Sequence, residues 1–417
     1  TDETTEIACK KCKEVRKRGI DIKYIHRENR RGFKAGALEA GQEKARGEFV
    51  AVFDADFLPE PDFLEKTIHF FTDSQIGMVQ ARWDHINRDY SILTESQGIL
   101  LDGHFMVEHT ARNRSGRFFN FNGTAGIWRK KTIQEAGGWQ HDTLTEDLDL
   151  SYRAQLEGWR FVYLPEVTVP AELPVEMSAF KSQQFRWAKG SIQVFMKLYR
   201  RILSADVPFK VKLESFFHLG ANFSYVLMVI LSFLMPLNII MRFRQGVREV
   251  LIYDLPIFFF ATISVIIFYF YSEILVINET RSMKNRSKLS PLLYLPFTIA
   301  IGIGLGVNNT RAVIEALMGK ATPFIRTPKY NVTAENSSKK ENRTDGIISN
   351  VYRFKKINWV SVAELFLALY FSYGVYFAIY SELYGSLPFL MLFQLGFLYT
   401  SFLSIFYIPF ISFFKNR

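Results

Sequence analysis

The sequence predicts an α/β domain over residues 1–207 followed by an α-helical transmembrane region over residues 208–417. Three observations carry that division. Up to about Val207, short apolar runs alternate with helical patterns, and none is long enough to cross a bilayer. From Glu214 onward four runs are long enough, at about Phe216–Met241, Pro256–Ile277, Val360–Tyr380 and Leu387–Phe410. The basic residues behind a net charge of +10 gather in the loops between those runs and not along one stripe, which fits membrane topology and not nucleic-acid binding.

Along the first region, a charged helix is expected between Glu3 and Arg18, carrying the only two cysteines, Cys9 and Cys12. One isolated Cys-x-x-Cys pair reads as reduced thiols, and no disulfide framework exists. Thr1–Lys23 shows neither a signal peptide nor a targeting segment, and it opens in an acidic turn as though a strand had preceded it, so the chain is expected to be a fragment. Asp21–His26 is a strand candidate, Phe33–Lys44 a small-residue helix, and Phe49–Phe53 a continuous apolar run that suits a parallel strand covered on both faces. Glu60–Phe71 reads as a helix behind Pro61, Met78–Trp83 and Phe161–Leu164 as strands, Leu148–Leu156 as a helix, and Ser178–Leu203 as a long one. In the second region Asn336–Asp345 is a polar loop. Pro291–Val307 is short and glycine-rich, and the loops on both sides of it are basic. The positive-inside bias therefore puts both on the cytoplasmic face, with residues 291–330 forming a re-entrant or interfacial element.

Chemistry concentrates at four places. Asp54 and Asp56 follow an apolar strand, where α/β sheets open a ligand crevice; two carboxylates there supply hard oxygens for Mg²⁺ or Mn²⁺, or simply cap a turn. Asp147, in Thr145-Glu146-Asp147, is placed either as a general base toward an acceptor hydroxyl or as a cap on the helix that follows. Gln183, Arg186 and Trp187 share one helical face, where a guanidinium grips diphosphate, an indole stacks on a sugar and an amide orients hydroxyls; an amphipathic interfacial helix is the alternative. Lys34, just after Gly32, reaches toward a diphosphate or is a surface lysine. Asn-x-Ser/Thr sequons, including those at Asn122 and Asn331, carry no meaning on cytoplasmic segments.

Taken in order, Gly32-Phe33-Lys34, Asp54-Ala55-Asp56, Phe121-Asn122-Gly123-Thr124, Thr145-Glu146-Asp147 and the Gln-x-x-Arg-Trp of residues 183–187 resemble the family 2 processive glycosyltransferases. The wording is similar to the cellulose synthase-like mannan and glucan synthases in Val79–Trp83, in FNGTAGIWR from Phe121, in EAGGW from Glu135, in Ala171–Pro174 and in Phe324–Lys329, where such enzymes carry a gating or interfacial segment. The resemblance spans roughly Ile22 to Tyr330, and the last two membrane segments fit in character only.

That resemblance implies a GT-A domain on the cytoplasmic face of a cell or Golgi-type membrane, resting on transmembrane helices and using Mg²⁺ or Mn²⁺ and a UDP- or GDP-sugar. By position, Asp56 would bind the metal, and Lys34, Asp54, Asp56 and Arg186 the donor diphosphate. Asp147 would be the base, with Asn122, Gly123, Glu146, Gln183 and Trp187 at the acceptor. The family's first nucleotide-binding strand and its aspartates have no counterpart here, so the chain as given is expected to bind the base poorly. The expected activity is inverting transfer of a hexose to a β-linked glucan or mannan, leaning to β-1,4. Transfer to a membrane lipid acceptor is the first alternative, and a transporter or channel with a degenerate sugar-binding domain the second.

Overall fold

In the computed structural model, which describes residues 3–244, 250–280, 283, 286–322, 327–330 and 358–406, four strands form one mixed sheet. They are β1 (Phe49–Val52), β2 (Ile76–His85), β3 (Gly126–Arg129) and β4 (Arg160–Ala171), in spatial order β1-β3-β2-β4. β2 runs parallel to β4, and β3 runs antiparallel to both β1 and β2. Alternation along the strands builds two cores. Met78, Phe105, Phe121, Trp128, Leu150 and Phe161 fill one face, and Val79, Ala81, Ile127, Leu164 and Val169 the other with Phe63 and Phe71.

The helices of this domain are α1 (Thr4–Arg16), α2 (Phe33–Lys44), α3 (Phe63–Thr67), α4 (Ile92–Asp102), α5 (Thr110–Arg114), α6 (Lys130–Glu135), α7 (Glu146–Leu156) and α8 (Met177–Ser204). Three expectations are corrected. Asp21–His26 is not a strand, because among the described residues no strand pairs with it, and the Ile22 carbonyl accepts instead from Arg16 Nη2 at 2.8 Å. The run from Phe49 is not parallel and is not covered on both faces. β1 is an edge strand paired antiparallel to β3 with Ala51 exposed, and an apolar run does not encode the direction of its partner. Glu60–Phe71 is not one helix but the short α3 passing into a 3₁₀ turn over Ile68–Thr72.

Beyond α8 come α9 (Phe209–Gly220), α10 (Phe223–Arg244), α11 (Val250–Glu279), α12 (Pro291–Gly304), α13 (Gly306–Leu317), α14 (Trp359–Tyr380) and α15 (Leu387–Phe406). Five helical stretches among the described residues are long and apolar enough to cross a membrane. The run expected from Phe216 to Met241 breaks at Ala221–Asn222, so α9 stands apart and the long apolar stretch starts at Phe223. The stretch Pro291–Leu317 differs from the other four. Its apolar window is 61% buried by protein, against 22–33% elsewhere, because it is packed on α4, α8 and α15.

Ion pairs join the two regions. Arg88 meets Glu95 and Asp102 of α4 and donates to both carboxylate oxygens of Glu273 on α11 at 2.8 and 2.9 Å. Lys181 of α8 pairs with Glu364 of α14, and Lys189 with Glu315 of α13 at 3.1 Å. Charges buried this far from water persist only in pairs. Phe324–Arg326, the loop Asn336–Asp345 and the end of the expected run to Phe410 lie outside the described residues.

Candidate active site

The site forms where β1 ends. The Asp54 N–H donates to Thr124 Oγ1 at 2.9 Å, which binds the strand end to the loop before β3. Lys34, on the first turn of α2, puts Nζ 2.7 Å from Asp54 Oδ1 and 2.9 Å from Oδ2. Burial lowers the Lys34 pKa, but Asp54, Glu146 and Asp147 more than reverse this, so the ammonium stays charged. Asp56 turns to a different cation, Lys329, whose Nζ is 2.9 Å from Oδ2. Lys329 also donates to the Glu172 carbonyl, Tyr330 N–H to Glu172 Oε1 at 3.0 Å, and Arg186 Nη2 to Thr327 Oγ1 at 3.0 Å. Thr327–Tyr330 thus lies as a strap between the long helix α8 and the Asp-x-Asp turn.

Asp147 is not the cap of α7. Thr145 holds the N-cap position without a side-chain bond, and Asp147 sits inside the first turn with Oδ1 accepting from Leu148 N–H at 2.8 Å. Two glycines decide how closely its surroundings approach. Gly123 has φ +80°, and a Cβ there would stand 2.9 Å from Asp147 Oδ2 and 3.4 Å from Lys34 Nζ. A Cβ at Gly190 would stand 2.5 Å from Thr145 Cγ2, so only glycine lets α8 lie against the turn that carries Glu146 and Asp147. Burial, helped by Glu146 and opposed by Lys34, raises the Asp147 pKa to about 7. Burial also raises Glu146 and lowers Arg186.

Gln183, Arg186 and Trp187 are half-buried on α8, at i, i+3 and i+4 on one face. Trp187 lies 6.3 Å from Trp83 between ring centroids, and Trp83 packs on Phe57 at 5.2 Å and Phe105 at 5.4 Å. Asn122 donates its N–H to Gln80 Oε1 at 3.0 Å, and its side-chain amide lies 3.1 Å from His104 Nε2. Lys34, Asp54, Gly123, Glu146, Asp147 and Arg186 therefore share one electrostatic environment, with Asp56, Asn122, Gln183 and Trp187 on elements beside it.

The sequence reading did not pick out Lys329, His104, Gln80 or Trp83 as site residues, although Gln80, Trp83 and Lys329 lie in stretches that carried the family resemblance. Each contacts the site through residues remote in the chain, and no local pattern marks such a contact. Among the described residues no group of three or more His, Cys, Asp or Glu side chains is arranged to hold a metal ion, including around Cys9 and Cys12. Asp54 and Asp56 offer hard carboxylate oxygens, each now held by a lysine. Two such ligands suit a Mg²⁺- or Mn²⁺-type ion that completes its shell with phosphate oxygens and water.

Residues 1–190 match the family model described as "Glycosyltransferase like family 2". Glucomannan 4-β-mannosyltransferase 1 of Oryza sativa subsp. japonica is 44% identical over 223 residues, covering 52% of this chain and 42% of the relative. Glucomannan 4-β-mannosyltransferase 2 of Arabidopsis thaliana is 47% identical over 196 residues, covering 46% of this chain and 37% of the relative. The chain spans half or less of the length of the curated relatives it matches first. Among solved structures, a mannosyltransferase from Pyrobaculum calidifontis in complex with GDP-Man and Mn²⁺ matches with a TM-score of 0.45 and 17% identity, over 77% of this chain and 76% of that one. The α/β domain over residues 1–190 thus carries the match to the family 2 glycosyltransferases, and over about half its length the chain is similar to the glucomannan 4-β-mannosyltransferases.

Proposed function

We propose that this chain is the catalytic and membrane-embedded part of an inverting glycosyltransferase that adds mannose from a nucleotide sugar to a β-1,4-linked mannan or glucomannan. The observation that carries the reading is Asp147, a carboxyl held near pH 7 against Gly123 and across from Lys34, Asp54 and Arg186. A base poised at neutrality accepts the acceptor hydroxyl proton as its oxygen bonds to the anomeric carbon. The bond from that carbon to the departing phosphate oxygen breaks on the opposite face, so an α-linked donor gives a β-linked product. Lys34 and Arg186 face the negative charge of the leaving nucleoside diphosphate. A divalent ion held by Asp54 and Asp56 would add charge neutralisation of the diphosphate. Gln183, Trp187 and Trp83 line the place for the acceptor end of the glycan, with Asn122, Gly123 and Glu146 beside the reacting hydroxyl.

The names of the relatives support mannose as the sugar and a β-1,4 linkage. The basic residues flanking Pro291–Leu317 and its burial against α8 support a domain on the cytoplasmic face with that stretch as a re-entrant or interfacial element. Membranes carrying the full-length protein, supplied separately with GDP-mannose, GDP-glucose and UDP-glucose plus Mg²⁺ or Mn²⁺, test the reading. A long β-linked mannan from GDP-mannose is expected. Short glycolipid alone would move the assignment to a lipid acceptor, and no turnover of any donor would overturn it.

A further inference from the structure

His104 belongs to none of the motifs that identify the family. The helix running from α4 into α5 is interrupted by a π-helical turn over Gly103–His109. Such a turn inserts a residue and re-aims the side chains around it, which is why it recurs at functional sites. Its Gly103 faces Phe268 and Tyr269 of α11, while its two histidines face the loop that leads into β3. The buried His109 has Nε2 3.0 Å from the Asn120 carbonyl, and His104 has Nε2 3.1 Å from Asn122 Nδ2. The two rings lie 4.3 Å apart between centroids. One turn therefore holds two asparagines of one loop, on either side of the buried Phe121.

The hydrogen-bond roles follow from the next partner. His104 Nδ1 is 3.2 Å from Glu108 Oε2, so Nδ1–H donates there and the Nε2 lone pair accepts from the Asn122 amide. Arg112 holds Glu108 at 3.2 Å and Glu214 of α9 at 2.8 Å. Burial alone would raise the Glu108 pKa, but His104 and Arg112 hold it down at about 2, so it remains an acceptor at neutral pH. The residue after Asn122 is Gly123, which lies against Asp147 Oδ2.

We propose that His104 is a positioning residue for the acceptor sugar, setting through Asn122 where the loop of residues 120–124 stands over Asp147. The inference rests on the glycosyl-transfer reading. Its test is the initial rate of transfer by the purified membrane protein to short β-linked oligosaccharides, with donor and acceptor varied separately, for the wild type, His104→Ala and His104→Gln. Losing one oriented hydrogen bond in Ala should raise the acceptor KM about tenfold while the donor KM stays within about twofold. Gln, whose amide can still meet Asn122, should recover most of that loss. An unchanged acceptor KM in Ala, or donor and acceptor KM rising together with Gln no better than Ala, overturns the proposal alone. A wild type that turns over no nucleotide sugar overturns the glycosyl-transfer reading and the proposal with it.

Discussion

Replacing Asp147 by Asn removes a proton acceptor and almost no volume. Oδ1 already accepts from Leu148 N–H at 2.8 Å, a bond that an amide oxygen keeps. Loss of a positioned general base lowers turnover about 10²–10⁴-fold, or roughly 3–5 kcal/mol in the barrier. The pH dependence carries the same signature. With a pKa of about 7, the wild-type rate should climb with pH through that value and level off above it, and at pH 6 only about a tenth of the carboxyl is ionised. The stability sign runs the other way. The folded pKa is raised above the ordinary value, so the protonated group contributes stability at low pH that is lost as pH rises through about 7. The Asn variant is neutral at every pH and should melt at the same temperature as the wild type or higher at pH 8. Transfer of labelled mannose into polymer, with thermal melting of the same preparations in detergent, measures both. A variant that keeps more than a few per cent of activity, about a thirtyfold loss or less, removes Asp147 as the base.

Gly123→Ala should fold yet lose at least about tenfold in turnover, because its Cβ would press on Asp147 Oδ2 at 2.9 Å in a left-handed backbone conformation; kinetics beside a melting curve check this. Gly190→Ala drives a methyl to 2.5 Å from Thr145 Cγ2 and should destabilise the fold by about 1–3 kcal/mol, read as a lower melting temperature. Trp187→Ala should shorten the product more than it slows donor hydrolysis, since the ring sits in the aromatic group with Trp83 and not beside the Lys34–Asp54 pair. Gel sizing of the polymer decides, and equal losses in both would count against an acceptor role.

What the sequence determined by itself is what local chemistry encodes. The helix Phe33–Lys44 has the expected bounds, and β2, α7 and α8 match to within a few residues, because apolar spacing and turn residues act over a few positions. The ordered motifs grouped Lys34, Asp54, Asp147 and Arg186, and the structure brings them together, with Asp54 just past β1, Lys34 and Asp147 in the first turns of α2 and α7, and Arg186 on the long helix α8. Only tertiary structure decided the rest. The direction of β1 depends on β3, the fate of Asp21–His26 on whether a partner lies alongside, and the burial of Pro291–Leu317 on α4, α8 and α15. The pairing of Asp56 with Lys329 and of Asn122 with His104 joins residues with no local relation. The Asp147 pKa near 7 likewise comes from burial and from Glu146 and Lys34 around it, and desolvation depends on the assembled surroundings that no linear spacing specifies.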